Sequence, residues 1–191
     1  MKRLQLAIIA SATALLTAFT TVNLWNSDPA HTDLGFSIGH LGISDVAGSF
    51  NEFTATINSS KTDFSDAVIE ASINAASVDT RVEARDQHLR SADFFDVEKY
   101  PTITFKSTSL KNSGKNKYKV TGDLTAKGIT KEVVLELTYR GSLEHPQSKK
   151  MTAGFKLKGE IKRSDFGIGT NFPAPMLSDE VAITINGEFQ Q

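Results

Sequence analysis

Hydrophobic and polar residues alternate with a period of two along most of the chain after Leu24. This period puts successive side chains on opposite faces of a strand, so that each segment has one face to bury. The pattern therefore predicts an all-β protein. The alternating segments, about eight in number, are residues 34–38, 46–57, 67–73, 103–105, 118–124, 133–139, 151–161 and 181–189.

The connections between these segments are mostly short, which predicts antiparallel pairing. The second segment loses strict alternation between Phe50 and Phe53, and this shift predicts a bend or bulge near Asn51. Eight antiparallel strands can close into a barrel, which removes exposed edges and encloses either packed side chains or one small ligand. We therefore predict an eight-stranded antiparallel barrel. An outer-membrane barrel also alternates, but it needs aromatic girdles, and the chain has one Trp and three Tyr.

Residues 78–105 interrupt the strand pattern between the third and fourth segments. Good helix-forming residues from Arg81 to Arg90 predict a short helix, with Asp79 or Thr80 as its N-cap. Val82 and Leu89 are expected to share one face of it. The adjacent aromatic residues Phe94 and Phe95 follow, so the insert is predicted to be a plug or lid with an apolar underside.

The first 20 residues predict a secretory signal peptide. Lys2 and Arg3 precede an apolar run from Leu4 to Phe19, which is too short and too weakly apolar for a spanning helix. The chain has no cysteine, so it lacks a lipid-acceptor Cys and a disulfide framework. We expect a mature, soluble barrel domain of residues 24–191, periplasmic or secreted, without stable membrane insertion.

Composition excludes some partners. The net charge is -1 and the sequence pI is about 6.4, so nothing favours nucleic acid as a partner. Lys111, Lys115, Lys117 and Lys119 surround an Asn-Ser-Gly turn and are interpreted as a solvated hairpin tip.

Polar residues of the insert suggest chemistry only weakly. A His near an Asp, such as His88 and Asp86, could act as a base with its orienting group. The simpler interpretation is that Asp86 caps the loop or pairs with Arg85 or Arg90, since the chain has no Cys and no G-x-S-x-G motif. We therefore predict no catalytic residue.

No metal site or cofactor is predicted either. His31, His40 and His88 show no i, i+4 or H-x-H spacing and have no accompanying carboxylate cluster in the sequence. They are interpreted as bonding to loop backbones or lying at a cavity mouth near a ligand head group. Asp165 is expected to pair with Arg163 or to cap its turn, and the apolar loop 172–176 either covers a barrel end or gates access.

Four strings of the chain resemble the YceI-like family of exported, lipocalin-like proteins. They are DPAHTDLGFSIGHLGISDVAGSFNEF (28–53), SVDTRVEARDQHLRSADFFDVEKYPTITFKST (77–108), GDLTAKGITKEV (122–133), and RSDFGIG with a later SDEV (163–181). The resemblance implies an eight-stranded lipocalin-like barrel with a long apolar cavity for a polyisoprenoid, an isoprenoid quinone or a fatty-acyl lipid. It also implies a homodimer and a periplasmic or secreted location, and it brings no catalytic residues or metal.

The residue types also favour an apolar ligand, but they do so less specifically than the family resemblance does. Twelve Phe residues supply bulky side chains that have no polar atom. Small residues expected to face the interior leave room along the barrel axis; they are Ala55, Ala71, Gly122, Ala153, Gly159 and Gly187. Two alternatives remain, a lipid-acting barrel enzyme with polar residues at the mouth and a barrel filled by its own side chains. The predicted ligand-binding residues are Phe36, Ile38, His40, Phe50, Phe53, Ile69, Ile73, Phe94, Phe95, Phe105, Leu135, Phe155, Leu157, Phe172 and Ile183.

Overall fold

The structure, a computed structural model, describes residues 22–191, and the predicted signal peptide lies outside the described residues. Within that range strands dominate, with one α-helix, α1 (Glu83–Arg90), and two 3-10 turns at Ala75–Ser77 and Arg163–Phe166. The strands of residues 22–191 are β1 (Asn23–His40), β2 (Ser44–Phe50), β3 (Phe53–Ser59), β4 (Val68–Asn74), β5 (Val78–Asp79), β6 (Thr102–Gly114), β7 (Lys117–Ala126), β8 (Ile129–Glu144), β9 (Met151–Lys162) and β10 (Leu177–Gln190).

Eight of these strands close a barrel. Their order around it is β1, β3, β4, β6, β7, β8, β9, β10, each antiparallel to the next, and β10 returns to pair with β1. In the closing pair Phe36 lies opposite Ile183, and Ile38 lies opposite Val181. The predicted eight-stranded antiparallel barrel is confirmed, and the helical insert lies between its third and fourth strands as predicted.

The second predicted segment forms two strands instead of one. β2 pairs with the end of β1, where Ser44 faces His40, and β3 pairs with the beginning of β1, where Ser59 faces Asn23. Between β2 and β3, at residues 51–52, the pairing moves from the end of β1 to its beginning. This is the position of the predicted bend. β5 extends the sheet by pairing with β2 outside the barrel order.

The insert contains the predicted helix, but its start differs. The helix begins two residues later than predicted, and its N-cap is Val82, which makes no side-chain cap hydrogen bond. Asp79 and Thr80 therefore do not cap it. Val82 lies before the helix and is 47% exposed, whereas Leu89 packs against the core, so the two residues do not share a face of α1 as expected. Among residues 22–191, no helix combines the length and apolar character needed to cross a bilayer.

The antiparallel order brings several connecting segments to one end of the barrel, here called the insert end. They include the insert, the turn at residues 41–43, the β7–β8 turn at residues 127–128 and the segment 163–176, because each follows or precedes strands that end there. Two of them are joined directly, since the N–H of Leu41 donates to the carbonyl of Met176 at 3.1 Å.

The opposite end, here called the far end, is closed by an aromatic side chain. Phe64, in the loop between β3 and β4, is 1% exposed. Its ring centroid lies 5.3 Å from that of Trp25 and 4.9 Å from those of Tyr139 and Phe155. Such a cluster of edge-on and tilted rings excludes water from this end.

Candidate functional site

The barrel encloses an apolar cavity of about 470 Å³. All eight barrel strands contribute lining side chains, as do α1 and the segment 163–176. Along β9 the lining extends from Phe155 to Arg163, the residue that immediately follows the strand. At ~3.3 Å per residue, this stretch is roughly 26 Å long. A strand tilt of about 40° reduces this to a bore roughly 20 Å long. The cavity is therefore elongated, and its wall suits a hydrocarbon chain.

The structure puts fourteen of the fifteen predicted ligand-binding residues on the cavity wall. Phe53 is the exception, because it is partly buried against the core but does not line the cavity. It has the same parity as the lining residues Ala55 and Ile57, but it is the first residue of β3, beside the bend at residues 51–52. The lining residues among the fifteen are Phe36, Ile38, His40, Phe50, Ile69, Ile73, Phe94, Phe95, Phe105, Leu135, Phe155, Leu157, Phe172 and Ile183.

Sequence reasoning found only the histidines of the polar part of the wall. His40 and His88, which were interpreted as lying at a cavity mouth or bonding to loop backbones, do line the cavity, but Thr80, Arg85 and Arg163 line it as well and were missed. The strand period carries no signal for these three, because they lie in the insert or just after β9. It could have found further inward positions that it left unassigned as ligand contacts, among them Leu34, Ile57, Ile103, Leu124, Val133, Leu137, Val181, Ile185 and Phe189.

The small interior residues do not all leave room. Ala55 and Ala71 line the cavity, but Gly122, Ala153, Gly159 and Gly187 do not. A Cβ on Gly122 would lie 2.5 Å from Cζ of Phe105, so that ring already covers the glycine. Gly159 is covered by Leu135 and Gly187 by Thr32 in the same way. The open bore therefore arises from the size of the closed barrel more than from these glycines.

A hydrogen-bonded network orders the start of the insert. The buried carboxylate of Asp86 accepts hydrogen bonds from both the N–H and the hydroxyl of Thr80. Nε of Arg85 donates to the same hydroxyl at 2.7 Å, and Nη2 donates to the Thr80 carbonyl at 2.8 Å. Asp86 therefore holds the loop, as expected, but it does so through Thr80 and not by an ion pair with Arg85 or Arg90.

Arg163 organises the segment that follows β9. It is 6% exposed, and its guanidinium donates only to main-chain carbonyls in the described chain. The expected pairing with Asp165 is wrong, because the guanidinium faces the chain that returns to β10. The accepting carbonyls belong to Ile168, Gly169, Phe172, Leu177 and Ser178, at 2.5 to 3.2 Å.

The two cavity-wall histidines lie at the insert end. His40 ends β1, and His88 sits on α1 with its ring edge-on to Phe94 and Phe172, at centroid distances of 5.0 and 5.5 Å. Nε2 of His88 lies 3.2 Å from a carboxylate oxygen of Asp93. The base and orienting pair considered for His88 and Asp86 is not formed, since each binds another residue.

A third histidine joins a different cluster near the far end. His31 lies in a bulge of β1, where Nδ1 is 3.0 Å from Oδ2 of Asp28, and both lie near Glu188 of β10. The hydrogen bond from His31 lowers the pKa of Asp28 and in turn raises the pKa of His31. Gln190 also donates to Asp28 at 2.8 Å, so the cluster ties the bulge to the end of β10. Sequence inspection did not detect this cluster because Glu188 is distant from Asp28 and His31 along the chain.

Together these features define a class. A closed antiparallel barrel with an elongated apolar bore and a few polar groups at one end is the architecture of a lipocalin-like binding barrel. The family model of the YceI-like domain matches residues 25–189 of this chain. The chain therefore belongs to the YceI-like family.

Named relatives agree with this assignment. Protein YceI of Escherichia coli O157:H7 is 39% identical over 161 residues, 84% of this chain and 83% of that protein. The crystal structure of the Campylobacter jejuni YCEI protein is similar with a TM-score of 0.72 and 36% identity, over 92% of this chain and 99% of that one. A polyisoprenoid binding domain from Saccharophagus degradans matches with a TM-score of 0.66 over 89% and 99% of the two chains, and at 13% identity it shows the fold alone.

Proposed function

We propose that this protein binds one long apolar amphiphile in the barrel cavity and carries or sequesters it in the periplasm or outside the cell. The observation that carries the proposal is the elongated apolar bore, to which all eight barrel strands contribute. A closed core would have been filled by its own side chains, as protein interiors normally are. A bore of this kind offers a hydrocarbon chain dispersion contacts and removal from water along its whole length.

The ligand class follows from the wall. Apolar side chains dominate it, and the polar groups among the described residues gather at the insert end, so a ligand with a long tail and one polar head fits best. Polyisoprenoids, isoprenoid quinones and fatty-acyl lipids all have this form. The Saccharophagus degradans neighbour is described as polyisoprenoid binding, which supports the first of these for this chain as well.

We infer that the protein has no catalytic step. Asp86 and Arg163 are engaged in holding the insert and the segment 163–176, and Asp86 and His88 are not hydrogen-bonded to one another. The compartment is inferred from the predicted signal peptide, and fractionation of cells expressing the full chain tests it. A homodimer also stays a prediction, for which light scattering on the purified protein is the test.

The main test is to purify the protein natively, extract it with organic solvent and identify the released lipid by mass spectrometry. A matched pair of variants on β4 makes the test specific. Ala71→Phe puts a ring into the cavity, and Ser72→Phe adds the same ring at the exposed neighbouring position. We expect the Ala71→Phe variant to lose most of the bound lipid and the Ser72→Phe variant to retain it. Thermal melting curves check that both variants are folded.

Two outcomes would contradict the proposal. One is native protein that yields no lipid in any preparation and takes up no added long-chain fatty acid or isoprenoid alcohol. The other is equal lipid content in the two variants, which would mean that lipid binds the outer surface of the barrel.

A further inference from the structure

The ionisable side chains of the cavity wall are all of the basic residue types. Among the described residues, the lining includes the guanidinium groups of Arg85 and Arg163 and the imidazoles of His40 and His88, but no Asp or Glu. All four belong to the insert end, where a polar head group would lie if a chain filled the bore. The wall therefore differs from that of a pocket built for a neutral ligand alone.

One of the two guanidinium groups has no capacity left for a ligand. Arg163 donates five hydrogen bonds to main-chain carbonyls, which uses the five N–H donors of the side chain. It makes no hydrogen bond to a carboxylate in the described chain, and the nearby Asp179 binds Ser164 instead. Its positive charge is nevertheless buried beside the cavity, where the low dielectric lets it favour an anion.

The other guanidinium keeps donors for a ligand. Arg85 uses Nε and Nη2 on Thr80, and within residues 22–191 its Nη1 donates to no protein group. Thr80 is itself fixed by Asp86, so the guanidinium is held in one orientation on the cavity wall. The Asp86 carboxylate is hydrogen-bonded to Thr80 and not to Arg85, so Nη1 of Arg85 is left for a ligand.

We propose that the bound amphiphile carries an acidic head group, a carboxylate or a phosphate, which accepts hydrogen bonds from Nη1 of Arg85 at the insert end. This inference rests on the proposed function and names the ligand class for the same cavity. Charge-assisted hydrogen bonds from a guanidinium to a carboxylate or phosphate are among the strongest in proteins. The tail then runs along the bore towards Phe155 and Phe189 at the far end.

The experiment compares ligands that share a tail and differ in the head. Displacement of the neutral fluorescent probe N-phenyl-1-naphthylamine at pH 8 gives the affinities of hexadecanoic acid and hexadecan-1-ol, and of geranylgeranyl phosphate and geranylgeraniol. Because a hydrogen bond to a charged group contributes about 1.5–3 kcal/mol, we expect each acid to bind about 10- to 100-fold more tightly than its alcohol. The pair with the larger ratio identifies the carboxylate or the phosphate as the preferred head.

Variants test the residue. Arg85→Gln should reduce the acid-to-alcohol ratio to about one, while Arg85→Lys should keep part of the ratio through its charge. Arg81→Gln is the matched control, because Arg81 is exposed, lies in the same segment and is not on the cavity wall. Its ratio should equal that of the unaltered protein, and melting curves establish that all three variants fold.

The failures of the two proposals are distinguishable. Equal affinities for acid and alcohol in the unaltered protein, or an undiminished ratio in folded Arg85→Gln, overturn the acidic head group and leave the amphiphile cavity standing. Absence of binding for all four ligands overturns the cavity proposal and with it the head group.

Discussion

The ring of Phe94 stacks on the ring of Phe172, with centroids 5.2 Å apart and 18° between the planes. The contact joins the insert to the segment 163–176 across the insert end. A backbone hydrogen bond from Gly169 to the Asp93 carbonyl, 2.9 Å long, supports it. Gly169 has φ +59, and a Cβ there would lie 2.5 Å from Cε1 of Phe94, so only glycine allows this approach.

This stacked pair is expected to act as a lid over the cavity. Both rings line the cavity, and an aromatic pair contributes about 0.5–1.5 kcal/mol beyond its buried area. Phe172→Ala should therefore release a bound fluorescent fatty acid about 2- to 10-fold faster, measured by stopped-flow displacement with excess unlabelled ligand.

Asn171→Ala supplies the control for this prediction, because Asn171 is exposed and does not line the cavity. Its release rate should match that of the unaltered protein. Unchanged release from Phe172→Ala would mean that ligands leave by another route, and the lid interpretation would be abandoned.

The barrel was predictable because one local rule determines most of it. The period of two fixes which side chains of a strand face inward, so Phe36, Ile38 and Leu157 could be assigned to the interior without tertiary information. The rule fails where the backbone stops being regular. Phe53 has the same parity as Ala55 and Ile57, but it is the first residue of β3, beside the bend, and the cavity wall does not extend to that end of the strand.

The polar end of the site was much less predictable. Arg163 gains its position from carbonyls that follow it in an irregular segment, and no periodic pattern encodes such bonds. Arg85 reaches the cavity because Asp86 and Thr80 fix the turn before α1. Sequence inspection singled out Asp86 as a holder of the loop, but it did not identify Thr80 as the partner.

Replacing Arg163 is expected to destabilise the whole insert end. In Arg163→Met the five carbonyls lose their donor, and water reaches this buried site poorly. An unsatisfied buried polar group costs about 1–3 kcal/mol, and partial relaxation makes a total loss of about 2–4 kcal/mol reasonable. Urea unfolding measures it, with the exposed Lys162→Met as the control that also removes one positive charge. Equal midpoints for the two variants would contradict a structural role for Arg163.

Asp66 is expected to make stability fall in acid. Burial acts to raise its pKa, but hydrogen bonds from the hydroxyls of Ser59 and Ser60 and from backbone N–H groups outweigh it and lower the pKa to about 2. A lowered folded-state pKa stabilises the protein above the unfolded value of about 3.9, and this contribution is lost as the pH falls towards 2. After allowance for solvent screening of this exposed carboxylate, the contribution should be about 1 kcal/mol.

Urea unfolding from pH 6 to pH 2 checks this prediction. Asp66→Asn should be less stable than the unaltered protein at pH 6, and the difference should vanish near pH 2. Ser60→Ala removes one of the hydrogen bonds and should produce a smaller change in the same window. A stability difference that does not vary with pH would show that the carboxylate charge is not responsible.

Phe64 should matter for folding but not for ligand affinity. Its ring is 1% exposed within the aromatic cluster of the far end, and it does not line the cavity. Phe64→Ala should therefore cost about 3–5 kcal/mol in urea unfolding, the usual range for deleting a buried ring. The exposed neighbour Thr62→Ala should cost little. At low temperature and without denaturant, folded Phe64→Ala should bind hexadecanoic acid as the unaltered protein does. Faster ligand release from this variant would instead make the far end a second route into the bore.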